Sequence, residues 1–275
     1  MIQHQSGRGG RLLLGSFSLL VLTFLMLPII IIVAVSFSPG EIIAFPPGGL
    51  SLRWYHNYFS SPTWMTATRV SVVVAFLTAI SSVILGSMAS VALVRNKFPG
   101  KNLIRALMMG PLIVPKIITA VGLYFLYMHF RMLGTMLGLV IAHTLIAVPY
   151  VIMIMTSALY GFDRRLEWAA RSLGAAPLKV IWHVHWPVLR PAIISATLFS
   201  FIASFDDIIL SLFLSQLTEP TLPRQIWVNV QQFIDPTIAA VSTLMTLVSV
   251  LGLWMVSLAK GWAQKQQNLT NGEGK

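Results

Sequence analysis

Four long apolar stretches, within residues 12–37, 66–94, 134–160 and 237–259, each contain or border at least 24 residues with no charged side chain. Crossing about 30 Å of hydrocarbon at about 1.5 Å per residue takes roughly 20 apolar residues in a helix, so each stretch is long enough to span a bilayer. Two further apolar segments, 104–128 and 188–215, have the same length but are interrupted, the first by Lys116 and the second by Asp206 and Asp207. The pattern predicts an all-α polytopic membrane protein with six transmembrane helices. Composition agrees: 56% of the 275 residues are hydrophobic and 10% charged, with a mean hydropathy of +0.79, against about 25% charged in soluble domains. The absence of cysteine excludes a disulfide framework and any cysteine-based metal or redox centre.

A net charge of +11 would suit a nucleic-acid partner if it were gathered on one face. Instead the basic residues fall between the apolar runs. Arg8, Arg11, Arg95, Lys97, Lys101, Arg105, Arg164, Arg165, Arg171, Lys179, Arg190, Lys260, Lys265 and Lys275 lie in alternate connections, and Arg53, Arg131 and Arg224 in the others. The positive-inside rule then places both termini in the cytoplasm. The expected organisation is a tail at 1–11, one transmembrane domain over 12–260 with a loop at 161–187, and a tail at 261–275. The first run exceeds the roughly 7–15 residues of a signal-peptide core, so it reads as a retained helix. Pro111, Pro115, Pro149 and Pro191 predict kinks in or near spans.

The loop 161–187 holds a second kind of signal. Asp163 can cap a short helix, Leu166, Ala169, Ala170 and Leu173 form an apolar stripe, and Gly174 can end it. Arg164, Arg165, Glu167 and Arg171 supply charged rims. From chemistry alone such a helix suits either the lipid headgroup layer or a partner surface.

The segment resembles the cytoplasmic "EAA loop" of ABC importer permeases, a pattern of Glu-Ala-Ala, three residues, Gly, nine residues, Ile, one residue and Leu-Pro. Ala169, Ala170, Gly174 and Pro187 fall in register. The Glu position holds Trp168, with Glu167 one residue earlier, and Val184 and Trp186 replace Ile and Leu. The resemblance implies that this loop is a coupling helix seated on a separate ATPase, with Arg164, Arg165, Glu167, Trp168, Ala169, Ala170, Arg171, Gly174 and Pro187 at or near the contact. One residue turns a helical side chain by about 100°, so Glu167 is displaced from the position of the family's Glu. The chain has no Gly-x-x-x-x-Gly-Lys-Ser/Thr phosphate loop, so no cofactor is expected on it, and ATP and Mg²⁺ are expected on the partner.

Ser204-Phe205-Asp206-Asp207 resembles the fifth-span signature of spermidine/putrescine-type permeases, and the likeness extends to the outer segment Leu52–Phe59. Ionisable groups within spans are costly and point to a cavity or a partner. Lys116, Asp206 and Asp207 therefore suggest either a structural ion pair or a polar path, with Ser204 beside it and Trp54 offering a cation–π surface or a membrane anchor. The resemblance implies a MetI-like permease fold in a bacterial inner membrane, beside a second permease, two cytoplasmic ATPase subunits and an external solute-binding protein. Polyamine permeases tend to carry an acidic residue where this chain has Lys116, which widens the expected solutes to amino-acid-like, opine-like or aminophosphonate compounds. A proton-coupled secondary transporter is the rival reading, and it leaves the loop unexplained. His183 and His185 lack further acidic or cysteine ligands nearby and are not expected to hold a metal. His143 is expected to be hydrogen-bonded between helices.

Overall fold

The computed structural model describes residues 8–41, 44–216, 219–232 and 235–270, and among them all regular structure is helical. The order is α1 (Arg8–Ser36), α2 (Arg53–Ser60), α3 (Pro62–Arg95), α4 (Lys101–Ile113), α5 (Lys116–Phe130) and α6 (Met136–Tyr160). Next come α7 (Arg164–Ser172), α8 (Pro177–Val180), a π-helical turn (Ile181–His185), α9 (Trp186–Phe205), α10 (Ile208–Leu214), α11 (Leu222–Gln232) and α12 (Thr237–Thr270). Among the described residues five helical stretches are individually long and apolar enough to cross a membrane: Leu13–Ser36, Pro62–Arg95, Met136–Tyr160, Leu178–Phe205 and Thr237–Leu258. The pair α4 and α5, counted as one broken span, makes the sixth.

Two of the predicted continuous spans are interrupted, each for a local reason. The stretch 104–128 bends by 101° between α4 and α5. Pro115 has no N–H to continue the helix, and its ring drives Val114 out of the helical region, to φ −73° and ψ 130°. The stretch 188–215 breaks at Asp206–Asp207, where the Asp207 carboxylate caps a new helix by accepting from the Leu210 N–H at 2.8 Å. The prolines at 149 and 191 stay inside α6 and α9.

The predicted start of the fifth span at 188 lies well inside a helix that already runs from Leu178. A proline at 187 removes one N–H and crowds the carbonyl four residues back. The chain absorbs this with the π turn, in which the Trp186 N–H donates to Ile181 O five residues earlier. The predicted C-terminal tail begins as helix, since α12 runs on to Thr270. The remainder of that tail, and residues 1–7 of the N-terminal tail, lie outside the described residues.

The chain divides into two compact units. The first comprises residues 1–62 and 228–247 and is held by polar ends rather than by a broad core. Ser36 Oγ meets Tyr55 Oη at 2.7 Å, the Ser51 N–H donates to Phe37 O at 2.7 Å, and Asn57 Nδ2 donates to Thr237 Oγ1 at 2.9 Å. The apolar body of α1 stays uncovered, as expected of a helix whose solvent is lipid.

The second unit, 63–227 with 248–275, contains the packed bundle. One core gathers Val70 and Val74 of α3, Ala120 and Tyr127 of α5, Leu139, Ala142 and Ile146 of α6, and Leu210 and Leu214 of α10. A second joins Val151, Met155 and Leu159 of α6 to Phe162 and to Leu189 and Ala196 of α9. In lipid the drive to pack comes from close contact and interhelical hydrogen bonds. Both occur between α3 and α6. A Cβ on Gly86 would stand 2.6 Å from Val151 Cγ1, Ser81 Oγ meets Thr144 Oγ1 at 2.7 Å, and Ser90 Oγ donates to Ile152 O at 3.3 Å.

Candidate functional site

The two helix breaks meet. Lys116 is the first residue of α5 and Asp207 caps α10; Lys116 Nζ donates to Asp207 Oδ2 at 2.6 Å. A lysine at a helix N-terminus faces the positive end of the dipole and is disfavoured there, whereas an aspartate at an N-cap is favoured. The pair resolves this conflict and cancels two charges that would each cost about 2.5–3.5 kcal/mol at the centre of a membrane helix. Asp207 is thereby spent: its Oδ1 caps Leu210, its Oδ2 holds Lys116, and its side chain is 3% exposed.

Its neighbour behaves differently. Asp206 terminates α9 and is exposed, and among the described residues its carboxylate makes no hydrogen bond or ion pair. The sequence cannot rank the two aspartates, because which one caps α10 depends on where the break falls. Lys116 keeps 41% of its side chain exposed, so the site presents one ammonium and one carboxylate on its open side. Behind it Ser204 is buried, with its Oγ 2.8 Å from His143 Nδ1 on α6. His143 therefore joins α6 to α9 as a hydrogen-bonded interhelical residue.

The loop builds a second site. Asp163 Oδ1 accepts the Arg165 N–H at 2.9 Å and starts α7. At the other end the Ala175 N–H donates to Ala170 O at 3.1 Å and the Gly174 N–H to Arg171 O at 2.9 Å, with Gly174 at φ +81°. These are the two bonds of a Schellman cap, which needs a residue in the left-handed region and so selects glycine.

Leu166, Trp168 and Leu173 stand open, Trp168 at 61% and Leu173 at 89% exposure. Arg164, Arg165, Ala169 and Pro187 are also exposed, and Ala170 is half-buried. Glu167 is turned the other way. Its side chain is 9% exposed, with Oε2 2.8 Å from Arg95 Nη1 and Oε1 2.8 Å from Arg171 Nη2. Burial pushes its carboxyl up, but Arg95, then His185 and Arg171, outweigh burial and hold it below the usual glutamate range. Arg95 and His185 were visible in the sequence only as a basic span end and as half of a histidine pair. Their approach to Glu167 follows from tertiary packing.

Trp54 belongs to the first unit. Its Nε1 donates to Ser38 O at 2.8 Å, the ring is buried, and Arg53 lies over it at 4.9 Å. The indole is thus a packing residue whose cation–π contact is made within the chain.

The fold is that of a polytopic membrane protein with two polar sites, and comparison with known proteins gives its family. Residues 82–264 match the family described as the binding-protein-dependent transport system inner membrane component. The chain is 33% identical over 238 residues to the spermidine/putrescine transport system permease protein PotC of Haemophilus influenzae, covering 86% of this chain and 91% of that protein. It is 34% identical over 233 residues to the putrescine transport system permease protein PotI of Escherichia coli, covering 82% and 83%. A bacterial ABC transporter involved in the import of the acidic polysaccharide alginate shares the fold, with a TM-score of 0.64 at 18% identity over 94% of this chain and 98% of that one.

The protein belongs to the family of inner-membrane components of binding-protein-dependent transport systems. It is a multi-pass permease subunit of an ABC importer, a transport component rather than an enzyme.

Proposed function

We propose that this subunit forms one side of the translocation path for a small amine-containing solute, a polyamine or a related compound. The observation that carries the reading is the exposed, unpartnered carboxylate of Asp206 beside the Lys116–Asp207 pair, at the junction of two broken helices. Irregular backbone at membrane depth is tolerated where it lines a cavity, and a free carboxylate there attracts an ammonium group. The relatives named for spermidine and putrescine support an amine. Lys116 occupies one carboxylate and keeps a positive charge at the path, which also favours solutes with an anionic group, such as amino-acid-like, opine-like or aminophosphonate compounds.

In this reading a second permease completes the path and an external solute-binding protein delivers the solute. Two cytoplasmic ATPase subunits, which bind ATP and Mg²⁺, engage the outer face of α7 through Leu166, Trp168, Ala169 and Leu173, rimmed by Arg164 and Arg165. Both termini then lie in the cytoplasm, a placement that the distribution of basic residues supports. Nucleotide biases the assembly between inward-open and outward-open states.

The test is uptake of radiolabelled putrescine and of a panel of zwitterionic amines by the reconstituted transporter. Asp206→Asn is expected to lose most uptake while the complex still assembles. Wild-type uptake of every transported solute by that variant would return Asp206 to a structural role.

A further inference from the structure

Helix α7 is joined covalently to α6 through residues 161–163 and to α9 through residues 173–185. It has no such link to α3, which ends at Arg95, far earlier in the chain. Yet among the described residues the shortest ion pair from α7 to another helix runs to that helix end. Arg95 Nη1 lies 2.8 Å from Glu167 Oε2, and Arg95 Nη2 lies 3.1 Å from His185 Nε2, which is itself 3.3 Å from Glu167 Oε2. The Arg95 guanidinium also sits over the Phe162 ring at 5.8 Å, and that ring meets the His185 imidazole edge-on at 5.2 Å.

A glutamate meant for a partner would face outward with Trp168 and Leu173. Glu167 instead points into the bundle, between the end of α3 and the π turn that leads into α9. With side chains only 19% and 9% exposed, the Arg95–Glu167 pair is enclosed, and breaking it costs more than breaking a surface pair even though Arg171 still faces Glu167. From Arg95 the contact continues along α3, which is keyed onto α6 at Gly86 and through Ser90 and Ser81.

We propose that Arg95 and Glu167 form an internal strut that carries a displacement of α7 directly into α3, so that Glu167 is a positioning residue within the permease and not its contact to the ATPase. The proposal rests on the reading that α7 docks an ATPase. Two forces then enter the bundle when α7 moves: one along the chain into α6 and α9, the other through the strut into α3. Without the strut the outer face of α7 is intact and the ATPase still docks, but α3 then follows only indirectly, through its contacts with α6.

The experiment uses the whole transporter in proteoliposomes, with Arg95→Gln, Arg95→Lys, Glu167→Gln and, as a probe of docking, Leu173→Asp. Three quantities are read: ATPase retained by the purified permeases, basal ATP hydrolysis, and solute taken up per ATP hydrolysed. Arg95→Gln and Glu167→Gln are expected to retain the ATPase and its basal activity. Their uptake per ATP should fall about tenfold, the size of a coupling of about 1.4 kcal/mol. Arg95→Lys, which keeps the charge, should stay within about threefold of wild type, within the range of pairwise couplings.

Wild-type uptake per ATP in both glutamine variants would overturn the strut. Loss of the ATPase from Glu167→Gln but not from Arg95→Gln would overturn it too, by making Glu167 a partner contact. Failure of the docking reading looks different: Leu173→Asp would then keep the ATPase and full uptake whatever the glutamine variants do.

Discussion

The Lys116–Asp207 pair allows a quantitative test. Breaking a buried ion pair by removing one partner typically costs about 3–5 kcal/mol, because the remaining charge is stranded. Asp207 is enclosed, but Lys116 keeps 41% of its side chain exposed, so solvent screens part of the interaction and about 1–3 kcal/mol is the reasonable range. The two single variants should differ. Lys116→Met strands a carboxylate that is 3% exposed, whereas Asp207→Asn frees a lysine that can reach the open side and keeps an amide oxygen able to cap Leu210. Lys116→Met should therefore be the more destabilising, and the double variant should be no worse than Lys116→Met alone. The assay is the midpoint of thermal inactivation of the assembled transporter in nanodiscs for all four proteins. Losses that simply add in the double variant would refute the pairing, since residues in contact are the ones that depart from additivity.

Three other perturbations follow from particular contacts. Among the described residues a Cβ at Gly174 meets nothing within 4 Å, so within this chain substitution there acts through its φ of +81°; Gly174→Val should uncouple ATP hydrolysis from uptake, while Gly174→Asn, which tolerates that region better, should retain most coupling. Equal uptake in both would count against the Schellman cap as the functional requirement. Gly86→Leu drives a side chain into Val151, 2.6 Å from the first carbon added, and is expected to cost about 1–3 kcal/mol and lower the inactivation midpoint, as overpacking does. The Glu167 carboxyl lies below its ordinary value of 4.5 in the folded protein. A depressed carboxylate contributes stability above its unfolded value and loses it as pH falls through the lower folded one. Glu167→Gln should thus lower the inactivation midpoint at pH 7 and converge on wild type as the pH drops below 4.5.

Much of this architecture was legible in the sequence because membrane helices follow length and charge alone. The runs at 12–37 and 134–160 needed no tertiary information, and the cap residues Asp163 and Gly174 marked both ends of α7 through local backbone chemistry. What was not legible depended on where helices break and on which side chains meet. Pro115 predicted a kink, but the 101° turn that sets Lys116 at a helix start is a tertiary outcome. Asp206 and Asp207 are chemically identical neighbours, and only the position of the break assigns one to a cap and leaves the other open. Glu167 resembled a displaced partner contact because its register against Ala169 and Ala170 was visible while Arg95, distant in sequence, was not. Trp54 read as either a cation–π surface or a membrane anchor, because nothing in the sequence showed that its indole N–H donates to Ser38 O and that Arg53 lies over its ring.

The most direct test of the account is solute accumulation by proteoliposomes that contain this permease, its partner permease and the ATPase subunits, with the solute-binding protein outside and ATP inside. The account predicts accumulation that requires both ATP and the binding protein and is indifferent to an imposed proton gradient. Accumulation driven by the gradient alone, without ATP, would contradict it.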